Sequence, residues 1–293
     1  MTFMQQLAAA WQRNDSLLCV GLDPEPGRFP VALRGRPDAL FEFCSNIVDA
    51  TADLVCCFKP QIAHFAANRA EDALERLIAH IHARHPGVPV ILDAKRGDIG
   101  STSAAYAEAF LGNGDFACDA VTVNPYQGAD STMPFIARVS AGRGVFVLVR
   151  TSNPSSGEFQ DVEAGGVAMW QRVAARVHGW GSDYIGESGL SPVGAVLGAT
   201  FPDEARRARK LMPNAFILVP GYGAQGASLD DLRPSFREDG TGAIVNSSRG
   251  VIFAYRRSPY DAAFGEKRWQ EAVEAALKDM IGELKGLQPH GRP

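Results

Sequence analysis

Short, continuous apolar runs alternate with longer amphipathic stretches along the chain. The runs are LLCVGL (17–22), LVCCFK (54–59), VPVILDA (88–94), AVTVN (120–124), GVFVLVR (144–150), VGAVLGA (193–199), AFILVP (215–220) and GAIVNS (242–247). They lack a strict apolar/polar alternation, so each reads as a strand covered on both faces, the condition of a parallel sheet. Between them, ALERLIAHIHARH (73–85) sets Leu74, Leu77, Ile78 and Ile81 at helical spacing. The stretches 163–181, 202–212 and 269–285 read as helices in the same way, and Asp203 and Glu204 suit a helix N-terminus. MTFMQQLAAAWQRNDS opens the chain as an amphipathic helix carrying Phe3, Leu7 and Trp11 and ending before Asn14.

Eight strands, each followed by a helix or a long loop, predict an α/β chain folded as a single (β/α)8 TIM barrel over residues 1–293. The N-terminal helix and long βα loops at 23–38 and 152–159 are additions to that plan. A doubly wound open sheet is the alternative. Against it, no G-x-G-x-x-G follows the first strand, and no phosphate loop of the G-x-x-x-x-G-K-[ST] type occurs.

Composition narrows the function classes. The 29 Lys and Arg against 33 Asp and Glu leave a formal charge of −4, which argues against a nucleic-acid partner held on a basic surface. No run approaches the roughly 20 apolar residues of a membrane helix, so no membrane partner is expected. The N-terminus lacks a basic segment followed by an apolar one, so it does not read as a signal peptide. The five cysteines, Cys19, Cys44, Cys56, Cys57 and Cys118, are odd in number and loosely spaced, which predicts reduced thiols in the cytoplasm. Cys56 and Cys57 read as small hydrophobes in a strand, not as a redox pair.

The placement of charge is more informative than its sum. Asp23 follows the first run, Lys59 ends the second, Asp93 and Lys95 end the third, and Arg150 ends the fifth. In a parallel barrel these ends share the face that carries the active site. On an extended strand Asp93 and Lys95 project to one side. Asp98, beyond Gly97, approaches the same site or that of a neighbouring chain. An ammonium flanked by carboxylates stays protonated and can donate a proton to a carbanion. VPGYGAQG (219–226) and NSSRG (246–250) follow the last two strands as a candidate phosphate site, with Arg249 as its cation. Thr151, Ser152 and Asn153 suit either the edge of a heterocycle or local turn capping. His64, His80, His82 and His85 invite a metal reading. The last three fall within a predicted helix without a convincing set of nearby acids, and a solvated helix face is the preferred reading.

LDAKRGDIGSTSAAYA (92–107), CVGLDPEP (19–26), FKPQIAHF (58–65), VTVNPYQGADS (121–131), VRTSNPSS (149–156), VPGYGAQG and NSSRG together resemble the orotidine 5′-phosphate decarboxylase family, in the branch bearing DAKRGD. The matches run in order from the first strand to the last. The resemblance implies conversion of orotidine 5′-monophosphate to uridine 5′-monophosphate and carbon dioxide, the last step of de novo pyrimidine nucleotide synthesis. It implies no metal and no organic cofactor, and a homodimer with sites at the subunit interface. By motif, Lys95 matches the lysine that protonates C6, and Asp93 the aspartate beside the substrate carboxylate. Lys59 completes the charge network near the ribose, and Asp98 is contributed by the partner subunit. Asp23 contacts the ribose, Thr102 reaches it across the dimer, and Ser152 lies near the pyrimidine edge. Gln225 and Arg249 grip the phosphate, and the loop after Gly223 closes over the ligand. The nearest competing reading is a related metal-dependent sugar-phosphate barrel of the hexulose-phosphate synthase type. It needs an additional acidic ligand near the charged residues, and Glu71 and Glu108 lie outside the strand ends. A catalytically dead nucleotide-binding barrel is the third, but binding alone does not need the charged set.

Overall fold

Eight parallel strands form the central sheet of the computed structural model, which describes residues 1–222 and 228–287. They are β1 (Leu18–Leu22), β2 (Cys57–Pro60), β3 (Ile91–Arg96), β4 (Ala120–Val123), β5 (Gly144–Arg150), β6 (Ser191–Leu197), β7 (Ala215–Pro220) and β8 (Ala243–Ser247). Their spatial order is β2-β1-β8-β7-β6-β5-β4-β3, and every neighbouring pair within the sheet is parallel. Parallel bridges Phe58↔Val90 and Gln61↔Asp93 join the two remaining edges, so the sheet curls into a barrel. Each apolar run of the sequence becomes one of these strands. Their buried faces explain why the runs are continuous: helices cover the outside while side chains fill the inside.

The principal helices are α1 (Phe3–Asn14), α2 (Ala39–Thr51), α3 (Glu71–Arg84), α4 (Gly100–Leu111), α5 (Ala129–Ile136), α6 (Met169–Gly181), α7 (Pro202–Leu211) and α8 (Trp269–Leu284). In α3 the four apolar positions read from the sequence are all buried. The stretch 163–181 departs from expectation. Its first part is a two-stranded hairpin, Glu163–Ala164 against Val167–Ala168, and only Met169 onward is helical. Gly165 and Gly166 have φ of 64° and 72°, the left-handed pair that a tight hairpin turn needs and that glycine supplies without strain. α1 runs slightly further than expected, through Asn14, because Asp15 caps it in the left-handed region and returns its N–H to the Trp11 carbonyl.

α1 closes the end of the barrel opposite the charged strand ends. Thr2 and Gln5 form its capping box, and Phe3 meets the Phe146 ring edge-on at 5.9 Å. A Cβ at Gly144 would lie 2.4 Å from the Phe3 ring, so this first residue of β5 has to be glycine for α1 to seat. The long 23–38 loop is ordered by aromatic packing. Phe29 stacks on Phe43 at 4.4 Å, the Tyr255 hydroxyl donates to the Arg28 carbonyl at 2.6 Å, and the Arg28 guanidinium lies 4.0 Å above the Phe253 ring. This fixes the chain that follows Asp23. All five cysteines are free and buried. Among the described residues no helix is long and apolar enough to cross a membrane.

Candidate active site

The carboxylate of Asp93 sits between two ammonium groups at the C-terminal end of the barrel. Lys59, at the end of β2, donates to Asp93 Oδ2 at 2.7 Å, and Lys95 donates to Oδ1 at 2.5 Å. Lys59 is only 4% exposed and Asp93 7%. A lone charge at such depth is costly, so the pair has to be mutual. Burial works against the charge on Lys59, but the Asp93 and Asp23 carboxylates overcome it and hold its pKa above the usual ammonium range. Burial likewise opposes ionisation of Asp93, and Lys59 and Lys95 together hold its pKa well below the usual carboxylate range.

The way Lys95 reaches Asp93 differs from the expected strand alternation. Lys95 has φ of 48°, a left-handed conformation that a side-chain-bearing residue rarely adopts. The β3–β4 register shifts between Leu92 and Arg96, so the strand is irregular where Lys95 turns. Thr122 on β4 compensates. Its hydroxyl accepts the Lys95 backbone N–H at 3.0 Å and donates to Asp93 Oδ1 at 2.9 Å. Thr122 is absent from the sequence-based candidates, for its one signal is a hydroxyl inside the otherwise apolar AVTV run. Backbone strain held in place by buried hydrogen bonds is characteristic of functional positions.

Lys59, Asp93, Lys95 and Thr122 line one side of a cavity of about 790 Å³. Its floor and far wall are apolar, built from Leu148, Val196 and Leu218, with Trp170 and Val173 from α6. Tyr126 and Phe159 stand at its rim with ring centroids 6.3 Å apart. An apolar cleft with a few convergent polar groups is the usual form of a small-molecule site. Ser152 also lines the cavity. Gly198 makes room for it: a Cβ there would lie 2.8 Å from Ser152 Cβ and 3.0 Å from its backbone nitrogen. Gly198→Ala therefore displaces Ser152, and misplacement of a contact residue by about 1 Å is expected to reduce kcat/KM on the order of 10²-fold. Steady-state kinetics on a variant with an unchanged circular dichroism spectrum measures this.

The other sequence candidates are distributed around this core. Asp23 is half-buried near Lys59, and its Oδ1 is buried without a hydrogen-bond partner among the described residues. Asp98 accepts the Ile99 N–H at 2.8 Å and, among the described residues, forms no ion pair, so within one chain it does not join Lys59, Asp93 and Lys95. Thr102 is exposed on α4. Arg249 is exposed just beyond β8, at the start of the short helix Arg249–Ile252. Gly223 and Gln225 lie outside the described residues.

Arg150 does not belong to the charge network that its strand-end position suggested. It is 2% exposed and clamps the wall of the site from behind. Its guanidinium bonds Glu204 at 2.6 Å, Asp161 at 3.1 Å and the Ser156 hydroxyl at 2.7 Å, under the Phe201 ring at 4.0 Å. Gln160, also bonded to Arg150, accepts the Thr151 N–H at 2.9 Å. The β5–β6 register breaks between Leu148 and Arg150, so Leu148 and Val149 both face the cavity while Arg150 turns away.

The chain is similar to known proteins over nearly its whole length. The family described as "Orotidine 5'-phosphate decarboxylase / HUMPS family" matches residues 16–261. An orotidine 5′-phosphate decarboxylase of Dechloromonas aromatica is 53% identical over 266 residues, covering 90% of this chain and 94% of that one. One of Ralstonia pickettii is 50% identical over 288 residues, covering 97% of this chain and all (100%) of its own. Among solved structures, the OMP decarboxylase of Leishmania donovani superposes with a TM-score of 0.76 at 33% identity, covering 98% of both chains.

Proposed function

We propose roles for the individual residues from one premise: this chain belongs to the orotidine 5′-phosphate decarboxylase / HUMPS family. Its reaction is the decarboxylation of orotidine 5′-monophosphate to uridine 5′-monophosphate and carbon dioxide, in pyrimidine biosynthesis. The observation that carries the assignment of roles is the Lys59–Asp93–Lys95 array along one side of a largely apolar cavity. The C6–carboxylate bond breaks, its electron pair stays on C6, and the Lys95 ammonium gives that carbon a proton. Asp93 holds Lys95 in place and stands beside the departing carboxylate. Lys59 keeps Asp93 ionised and, with Asp23, faces the ribose hydroxyls. The closeness of the Asp23 carboxylate to Lys59, which lines the cavity, supports that role. Ser152 reads the pyrimidine edge, and Arg249 holds the phosphate with Gln225 and the loop at Gly223.

No step is assigned to a metal or organic cofactor. Fixed charges aimed at the developing carbanion supply the stabilisation, and binding of the phosphate contributes energy that the reacting centre uses. The chain is read as one barrel domain working in the cytoplasm, which five buried free thiols support. Nothing at the site favours the sugar-phosphate alternative. Among the described residues the one three-ligand metal cluster lies on outer helices. Loss of orotidine phosphate absorbance, undiminished by EDTA, tests the function, and turnover that stops with the chelator would overturn it. Arg249→Ala is expected to raise KM by about 10²-fold, since a charge-assisted phosphate contact contributes roughly 2–3 kcal/mol.

The site is read as completed by a second copy of the chain, which brings Asp98 and Thr102. Exposed apolar side chains support an interface on this face: Ile99 is 56% exposed, Tyr126 81% and Met133 42%. Mixing two inactive variants, Lys95→Ala and Asp98→Ala, provides the test. In a mixed dimer one site regains both groups, so roughly a quarter of the wild-type activity should return after refolding together. A mixture as inactive as its components removes Asp98 from the shared site.

A further inference from the structure

The catalytic reading leaves the His80, His82 and His85 trio unused. On a continuous helix, residues five apart point to different faces. The structure breaks that assumption. α3 ends at Arg84, and His85 is its cap, with φ of −131° and ψ of 56° outside the helical region. The His85 ring thereby swings to the side of His80, with ring centroids 6.1 Å apart. Asp49, from α2, completes the group that the sequence did not supply. Its Oδ1 lies 2.8 Å from His80 Nε2 and 2.8 Å from His85 Nε2. His82 is not part of this group, for its Nε2 meets Asp119 at 3.0 Å.

We infer that Asp49, His80 and His85 form a site for a divalent transition-metal ion that clips α2 to α3, apart from the catalytic centre. The three donor atoms lie within 4.8 Å of one another, and both histidines aim Nε2 at one point. Each Nε2 lies 2.8 Å from the carboxylate oxygen, so the three donor atoms have to part around an ion to reach the usual metal–ligand lengths of roughly 2.0–2.2 Å. Two imidazoles and one carboxylate suit zinc, cobalt, nickel or copper, whereas magnesium and calcium prefer all-oxygen shells. Both rings are one-fifth exposed, at 20%, and Asp49 is 46% exposed, which leaves water free to take a fourth position. The His80 ring is steadied edge-on by Phe41 at 6.0 Å. Burial tends to raise the Asp49 pKa, and the hydrogen bonds from His85 and His80 outweigh it, so the carboxylate is ionised and ready to ligate. Ligation through Nε2 takes each imidazole in the neutral tautomer that carries its proton on Nδ1.

The test uses full-length, tag-free protein dialysed against chelator and titrated with Co²⁺. One saturable equivalent with a visible ligand-field band is expected, displaced by Zn²⁺, and Zn²⁺ should raise the thermal midpoint. His80→Gln and His85→Gln keep an amide to hydrogen-bond Asp49 but remove the imidazole, so the fold is preserved. Each should weaken Co²⁺ at least about tenfold and abolish the Zn²⁺-dependent midpoint shift. His82→Gln should bind like the wild type. Decarboxylation should be unchanged in all three variants, because the clip lies outside the catalytic array. No saturable Co²⁺ band, or undiminished binding in both His80→Gln and His85→Gln, would show that the trio is a hydrogen-bonded clamp alone.

Discussion

Lys95→Ala should lose turnover by at least about 10³-fold while the barrel stays folded. Proton donation by a positioned group and fixed electrostatic stabilisation of the developing charge each contribute about 10²-fold or more. Lys95 serves both, so its removal strips two effects that no neighbour replaces. Lys59 lies on the other oxygen of Asp93, too deeply buried to substitute. The fold is spared because the Lys95 side chain is 43% exposed and Asp93 keeps Lys59 as its buried partner. The strained backbone sharpens the test. At φ of 48°, alanine keeps the left-handed strain and glycine relieves it. Lys95→Gly should therefore be equally inactive yet about 1 kcal/mol more stable than Lys95→Ala, read from paired urea denaturation curves. Near-normal decarboxylation by purified Lys95→Ala would overturn the assignment of the proton donor.

Asp93→Ala should be both inactive and strongly destabilised. It leaves Lys59, 4% exposed, as a buried cation without its direct partner. Breaking such a pair costs about 3–5 kcal/mol, most of it the burden of the orphaned charge. Replacing both members, as Lys59→Met with Asp93→Leu, should recover much of that stability and none of the activity. Denaturation midpoints and the orotidine phosphate assay separate the two effects. The same pair sets a pH window. Asp93 has a depressed pKa, so its stabilisation is present above the ordinary carboxylate value of about 4 and fades as pH falls below it. Lys59 has a raised pKa, so its contribution is complete below the ordinary value of about 10.4 and fades as pH rises beyond that. Wild-type stability should thus form a plateau across neutral pH, and the falls at its acid and alkaline edges should be shallower in the double replacement. An Asp93→Ala protein unfolding at the wild-type midpoint would contradict the pairing.

The two tests rest on groups whose types were legible in the chain but whose arrangement was not. Asp93, Lys95 and Lys59 stand out because charge at the end of an apolar strand is rare unless it is used. That Lys95 and Asp93 touch was expected from strand alternation, yet the contact arises from a left-handed residue and a register shift instead. Arg150 carries the same sequence signal as Lys59 and serves a different purpose, because an irregularity in β5 turns it outward into Glu204 and Asp161. Asp98 and Thr102 belong to the motif but do not join the charged array within one chain, a placement that the sequence pattern alone did not reveal.

Hydrophobic run length and spacing by themselves determined the barrel. Eight buried strands must be continuous in apolar residues, and amphipathic helices must show one stripe to them, so the order of elements is written locally. The Gly165–Gly166 hairpin escaped that reading because two glycines in a row look alike in a weak helix and a tight turn. What only the tertiary structure decided is which side chains meet. Asp49 joins His80 and His85 across two helices, Thr122 joins Asp93 and Lys95 across two strands, and the Asp23 carboxylate acts on Lys59 from the end of β1. Those contacts depend on register, caps and local irregularities, which shift a side chain by several ångströms without changing the hydrophobic pattern that specifies the fold.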